Sequence, residues 1–244
     1  MSAPFFSLIV VCRNADRTLA ATLASVAAQT ETDRELVVID GASTDGTAGI
    51  LSSHRSAIAT LVSEPDGGVY AAMNKGARLA RGRWLLFLGA DDVLVAPDTL
   101  AHARTALASA PGDSVMAGEA AFDDGRIWRL HPRRIYRSFV HHQATFYPRG
   151  LLARHPYDET LRIQGDYDLN LRLARSGVAF RALPLLVARC ASGGLSDGGR
   201  WANYREEIAV RHRHYPAPVC WFWDLLSVLR FFRKKLHRSR RRRS

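Results

Sequence analysis

Glu35-Leu-Val-Val-Ile-Asp40 runs a short β-branched strand straight into a carboxylate, and Gly41-Ala-Ser-Thr-Asp-Gly46 turns the chain immediately afterwards. An apolar run without alternation, closed by turn residues, suits a parallel sheet buried on both faces. The pattern repeats on either side. Upstream, Phe6-Ser-Leu-Ile-Val-Val-Cys12 is a strand, and Leu19, Leu23, Val26 and Ala27 recur at helical spacing toward Gln29-Thr30. Downstream, Ser43, Thr44 or Asp45 is placed to cap a helix starting near Thr47. Ala59-Thr-Leu-Val-Ser63 is a third strand, Val69 to Leu79 a helix, and Trp84-Leu-Leu-Phe-Leu88 a fourth strand ending in Gly89-Ala-Asp-Asp92. Strand–helix units in series predict an α/β fold, a Rossmann-like, mostly parallel sheet flanked by helices, with right-handed crossovers.

Asp40, Asp66 and the pair Asp91/Asp92 each follow the carboxyl end of one of these strands. Ligands of open parallel sheets bind in the crevice along those ends. Acids gathered there repel one another unless a cation or hydrogen-bond donors join them. Taken singly, each Asp also reads as a turn cap; taken together they favour a site. Adjacent carboxylates at a strand end suit Mg²⁺, which takes one or two carboxylates, waters and substrate phosphates. Such an ion would stabilise a departing diphosphate. With neither G-x-x-x-x-G-K-[ST] nor G-x-G-x-x-G after the first strand, P-loop and dinucleotide-binding readings have little support. The ligand expected is a nucleoside diphosphate carrying a transferable group.

The second half is less regular. Ser114 to Phe122 reads as a strand and Asp123-Asp-Gly125 as a hairpin turn before Arg126 to Leu130. Gln164 to Ala174 is a helix with Asp166 and Asp168 at its N-terminus, and Trp201 to Tyr215 a polar helix. Ser192 to Gly199 is a glycine-rich segment, open between a plain connector and a lid over the donor.

Of 244 residues, 47% are hydrophobic and 23% charged, which excludes wholesale disorder and fibrous repeats. The net charge of +11 suggests a nucleic-acid binder until its distribution is seen. Nine Lys/Arg and no acid lie between Arg230 and Ser244, leaving a body of 25 basic against 23 acidic residues. Cys12, Cys190 and Cys220 have no metal-type spacing and suit a reducing compartment. The apolar run at residues 5–12 lacks the flanks of a signal peptide, and no stretch approaches the roughly 20 apolar residues needed to span a bilayer.

Four blocks carry a resemblance: Ser-Leu-Ile-Val-Val-Cys-Arg-Asn14, Val-Ile-Asp40-Gly-Ala-Ser43-Thr-Asp45-Gly46-Thr, Glu64-Pro-Asp66-Gly-Gly-Val-Tyr70-Ala-Ala-Met73-Asn74-Lys75-Gly76 and Phe87-Leu-Gly-Ala-Asp91-Asp92. His142-Gln143, Gly165-Asp166-Tyr167-Asp168-Leu169 and Gly193-Gly194-Leu-Ser196 follow in order. Over residues 5–200 the chain resembles family-two inverting glycosyltransferases of the bacterial polysaccharide, colanic-acid type, with the GT-A fold. The resemblance implies a hexosyltransferase-type enzyme and a nucleotide-sugar contacted by Val11, Asp40, Asp66, Lys75 and Asp91. It makes Asp40 and Asp66 contacts to base and ribose, puts Asp91 near the ribose or donor sugar, and makes Asp92 the ligand of Mg²⁺ or Mn²⁺. Asp166 falls in the place of the catalytic base, with Asp168 its rival about 200° around the helix. Gly89 departs from the pattern, since many relatives carry Asp there, and some have Asp where Ala71 stands. Lys75 and Arg13 are open between phosphate neutralisation and solvated surface charge. His141 and His142 are open between diphosphate or metal contacts and histidines with no ligand. Tyr70 and Met73 read as helix core.

Pro218 to Phe232 is the most apolar stretch. As a helix it places Asp224, Ser227, Arg230 and Lys234 on one stripe, with Phe222, Leu225, Leu226, Leu229 and Phe232 facing away. With the basic flank, worth about 1 kcal/mol per residue near anionic lipid, it suits an interfacial helix. The alternative is a helix packed on the body with a disordered tail. The expected organisation is a GT-A domain over residues 1–215 and a membrane-associating amphipathic helix with basic tail over 216–244. The enzyme would be cytoplasmic, peripheral on the inner face of the membrane and in contact with its anionic surface, using a lipid-linked or saccharide acceptor and no specific nucleic acid. The competing readings are a nucleotidyltransferase, and a nucleic-acid binder acting through the arginine tail.

Overall fold

The computed structural model describes residues 3–111, 113–131, 135–191 and 200–241, with side chains through residue 235. The Ser192–Gly199 segment and the last residues of the tail lie outside that description. The first half alternates β1 (Phe6–Cys12), α1 (Leu19–Ala27), β2 (Arg34–Asp40), α2 (Thr47–Ser53), β3 (Thr60–Ser63), α3 (Val69–Leu79) and β4 (Trp84–Gly89). The second half adds β5 (Val93–Leu94), α4 (Thr99–Ala108), β6 (Val115–Phe122), β7 (Ile127–Trp128), β8 (Thr145–Pro148), α5 (Arg149–Arg154) and α6 (Gly165–Arg175). It closes with β9 (Phe180–Cys190), α7 (Trp201–His214) and α8 (Ala217–Arg241).

One sheet runs in the order β3-β2-β1-β4-β8-β6-β9-β5, with β7 paired to β6. Strands β1 to β4 are mutually parallel, as are β6 and β9, and short antiparallel pairings join the two groups. Period-two alternation along β1 divides the core. Phe6, Leu8 and Val10 face α1, α2 and α4, while Ile9 packs toward α3, α5 and α6. Helices therefore cover both faces, and each fully buried Leu or Ile contributes about 1.5–3 kcal/mol. Tyr70 and Met73 are in that core.

The parallel register fixes where the acids emerge. Cys12 pairs with Asp40, Asp40 with Ser63 and Val11 with Gly89, so β1 to β4 end on one line. The hairpin at Asp123-Asp-Gly125 forms, with Phe122 N–H donating to the Arg126 carbonyl at 2.8 Å and Gly125 at φ 82°. Helix α4 and strand β9 had no counterpart in the reading of the sequence. Among the described residues no helix is long and apolar enough to cross a membrane.

Candidate active site

Asp40 ends β2 almost fully buried, and its carboxylate is tied from three sides. Ser63 Oγ donates to Oδ2 at 2.6 Å, the Ser43 N–H and Oγ both donate to it, and Cys12 Sγ–H donates at 3.8 Å. Burial, followed by the charge of Asp40, pushes the Cys12 thiol up to about 12, which keeps it protonated as a donor. A carboxylate offers about four lone-pair positions, so Asp40 is spent largely on shaping the strand end. Asp66 stands over the same spot. Its Oδ1 accepts the Gly68 N–H at 2.9 Å, and a Cβ on Gly41 would come within 2.8 Å of its Oδ2. Only glycine at position 41 admits that close approach.

The Asp91/Asp92 pair sits beyond β4. Exposed Asp91 and buried Asp92 converge: a Cβ on Gly89 would lie 2.9 Å from Asp91 Oδ1 and 2.9 Å from Asp92 Oδ2. Gly89 also donates its N–H to Asp92 Oδ2 at 2.6 Å. The glycine at position 89 thus leaves room for both carboxylates. Burial and then the charge of Asp91 push the Asp92 carboxyl above its ordinary range, despite the Gly89 N–H, nearby His142 and a Cys190 Sγ–H bond. Two carboxylates repelling each other in a poorly solvated corner fit a divalent cation. No cluster of three or more His, Cys, Asp or Glu suited to a metal occurs among the described residues, so the remaining ligands would be waters and phosphate oxygens.

The short turn His142–Ala144 packs against β4 and brings in the base candidate. His142 Nδ1 lies 3.5 Å from Asp166 Oδ2, and Asp166 Oδ1 accepts the Tyr167 N–H at 2.8 Å. Burial alone would raise the Asp166 carboxyl. The hydrogen bond and charge of His142, with the Tyr167 N–H, outweigh it and hold the group below its usual value. His142 therefore lies within electrostatic reach of both Asp92 and Asp166. His141 stacks on His142 at 5.7 Å; burial pushes its imidazole down to about 3, so it is neutral.

Asp168 points elsewhere. It is buried between Arg172 Nε at 2.8 Å and His214 Nε2 at 2.9 Å, in a crevice with Pro156, Asp158 and Arg213. Lys75 is paired with Glu64 at 2.6 Å at the edge of the Asp66 turn. Val11, half-buried, is the strand neighbour of Gly89, and Arg13 lies against Gly41 beside Asp66.

Three supporting residues escaped the sequence reading. Ser63 fixes Asp40, and only the strand order could have revealed it. Cys190, at the end of β9, donates to Asp92 from a strand that was not anticipated. Glu206 on α7 accepts the backbone N–H groups of Arg162, Ile163 and Gln164 at 2.7–2.8 Å, clamping the turn that launches α6 and Asp166. Its sequence separation of 42–44 residues leaves no local signal.

Residues 7–164 match the family described as Glycosyl transferase family 2. A PGL/p-HBAD biosynthesis glycosyltransferase of Mycobacterium tuberculosis is 38% identical over 208 residues, covering 81% of each chain. Among solved structures, S. aureus TarS 1-349 in complex with UDP-GlcNAc aligns with a TM-score of 0.69 at 22% identity, over 86% of this chain and 64% of that one. The chain thus spans just under two thirds of that TarS length. The mannosyltransferase PcManGT from Pyrobaculum calidifontis, in complex with GDP-Man and Mn²⁺, aligns at 0.67 and 21% identity, over 95% of this chain and 70% of that one. At such identities the structural likeness is one of fold.

Proposed function

The chain belongs to glycosyl transferase family 2 with a GT-A fold, and from that membership we propose that it transfers a sugar, with inversion, from a nucleotide-sugar to a lipid-linked or saccharide acceptor. The observation that supports the proposal is the alignment of the ends of β2, β3 and β4, which Asp40, Asp66 and the Asp91/Asp92 pair close or follow, together with His142, which bonds Asp166 and whose charge reaches Asp92. TarS bound to UDP-GlcNAc and PcManGT bound to GDP-Man and Mn²⁺ support a nucleotide-sugar donor and a divalent ion.

In this reading Asp40 and its serines form the floor under the base, and Asp66 accepts hydrogen bonds from the base or ribose. Val11 lines the nucleotide, Asp91 meets the ribose or donor sugar, and Lys75, drawn from Glu64, neutralises phosphate. Asp92 would hold Mg²⁺ or Mn²⁺, which supplies charge neutralisation to the departing diphosphate. Asp166 takes the proton of the acceptor hydroxyl as the oxygen attacks the anomeric carbon from the face opposite the leaving group. One displacement inverts that carbon and needs no covalent sugar–enzyme intermediate. A lipid-linked acceptor would be met at the inner face of the membrane, with the enzyme attached peripherally.

Incubating the chain with a set of UDP- and GDP-sugars and Mg²⁺ or Mn²⁺ should release nucleoside diphosphate from at least one. Release of none refutes the reading, and pyrophosphate from a nucleoside triphosphate would instead mark a nucleotidyltransferase.

The electrostatics of Asp166 give a pH prediction. A general base works only when ionised, and its carboxyl is held below the ordinary range by His142. The acid limb of kcat/KM should therefore lie low. His142→Ala removes the stabilising hydrogen bond and charge and leaves burial opposed by little more than the Tyr167 N–H, so the limb should move to higher pH. A limb that stays in place separates His142 from the base.

A further inference from the structure

Helix α8 is amphipathic the wrong way round for a helix that covers a core. Its polar stripe points inward. Arg211 of α7, fully buried, donates through Nη1 to Asp224, through Nη2 to Glu207 at 2.6 Å and Ser227 Oγ at 3.1 Å, and through Nε to the Tyr136 carbonyl at 2.9 Å. Arg230 adds a second bond to Glu207 at 2.6 Å, and His212 holds the other oxygen of Asp224 at 2.7 Å. Aromatic contacts flank the network, with Trp223 stacked on Tyr136 at 5.0 Å and Phe231 edge-on to Trp201 at 5.1 Å. The opposite side presents Trp221, Phe222, Leu225, Leu229 and Phe232, each 53–67% exposed. At 100° per residue these five share an arc of roughly 100°.

A buried arginine is tolerated only where its partners are in place, and removing one leaves an uncompensated charge. The network therefore fixes the rotation of α8 about its own axis and holds the apolar arc outward. A contiguous exposed patch of large apolar side chains marks an interaction surface. Its surroundings name the partner. The only acid in α8 is Asp224, which faces inward, so nothing acidic lies on the outward arc. The arc runs into exposed Arg233, Lys234 and Lys235, and the sequence continues with Arg238 and Arg240 to Arg243. Tryptophan and phenylalanine above a cationic flank match the boundary between acyl chains and anionic headgroups.

We propose that the outward face of α8 docks on an anionic bilayer surface, with the Arg211–Asp224–Glu207 network acting as the brace that presents it. The inference rests on the membrane-facing part of the proposed function, and its test is read without acceptor or turnover.

The test is sedimentation of the full chain with vesicles of phosphatidylcholine alone and of phosphatidylcholine with phosphatidylglycerol. The wild type should pellet with the anionic vesicles and at least tenfold less with the neutral ones. The triple variant Trp221→Ser, Phe222→Ser, Leu225→Ser changes only exposed side chains and should lose at least tenfold in partitioning. Nucleoside diphosphate release from a soluble donor should be unchanged in that variant, which separates failure of docking from failure of the proposed reaction. No pelleting of the wild type, or equal pelleting of the variant, overturns the proposal. A wild-type dimer that the variant makes monomeric, with neither form binding vesicles, would assign the face to a second copy. Salt-sensitive RNA binding without vesicle binding would assign the flank to nucleic acid.

Discussion

Asp166→Asn should lower kcat about 10²–10⁴-fold, the range that general-base catalysis supplies, while donor KM stays within a few-fold. The substitution keeps the size of the side chain. Its carbonyl can still accept the Tyr167 N–H that Asp166 Oδ1 accepts at 2.8 Å, so the first turn of α6 survives. The change removes the anionic oxygen beside His142 and with it the ability to take a proton. Asp168→Asn is the matched control two residues away. Asp168 carries the Arg172 and His214 pairs in the crevice it shares with Pro156, Asp158 and Arg213. That variant should lose about 1–3 kcal/mol of stability from the unpaired buried groups and retain kcat. Reversal of the two outcomes would move the base to Asp168 and refute the placement.

Asp92→Asn should separate activity from stability in the opposite sense. Turnover should fall about 10²–10³-fold, corresponding to several kcal/mol of leaving-group stabilisation, because the carboxylate assigned to the metal is lost. The metal-free fold should be unharmed. Burial and the charge of Asp91 raise the Asp92 carboxyl, so the ionised form is disfavoured in the folded chain relative to the unfolded one. That destabilisation is absent below the unfolded pKa and complete above the folded one, hence present at neutral pH. A neutral amide, still able to accept the Gly89 N–H, removes it. The melting temperature without metal should be equal to or higher than that of the wild type, and the gain from added Mn²⁺ should shrink. Normal turnover in Asp92→Asn would eliminate it as the metal ligand.

Much of this was legible because apolar strands buried on both faces have no alternative but a parallel sheet, and each runs directly into an acid. The registers Cys12–Asp40, Asp40–Ser63 and Val11–Gly89 turn that linear pattern into one rim. The 200° separation of Asp166 and Asp168 likewise survives in space, one toward His142 and the other toward Arg172 and His214. What stayed hidden depends on tertiary partners. Strand β9 carries Pro184 and is irregular in burial, so its run reads poorly as a strand, yet it delivers Cys190 to Asp92. Helix α4 relies on Leu100, Ala103 and Leu107, too little apolar contrast to stand out among alanines. The wheel of α8 was readable, but not that its polar stripe would face the protein, because a fully buried Arg211 supplies the reason and lies outside the helix.

In the proposed complex a divalent ion and a nucleoside diphosphate share one rim with the base across from them. Crystals of the chain soaked with MnCl₂ and UDP or GDP, measured at the manganese absorption edge, test it directly. An anomalous peak is expected within coordination distance of Asp92, bridged to the diphosphate, with the nucleobase near Asp66 and Asp166 on the far side of the diphosphate. A manganese peak elsewhere, or a nucleotide bound away from the ends of β1 to β4, would contradict it.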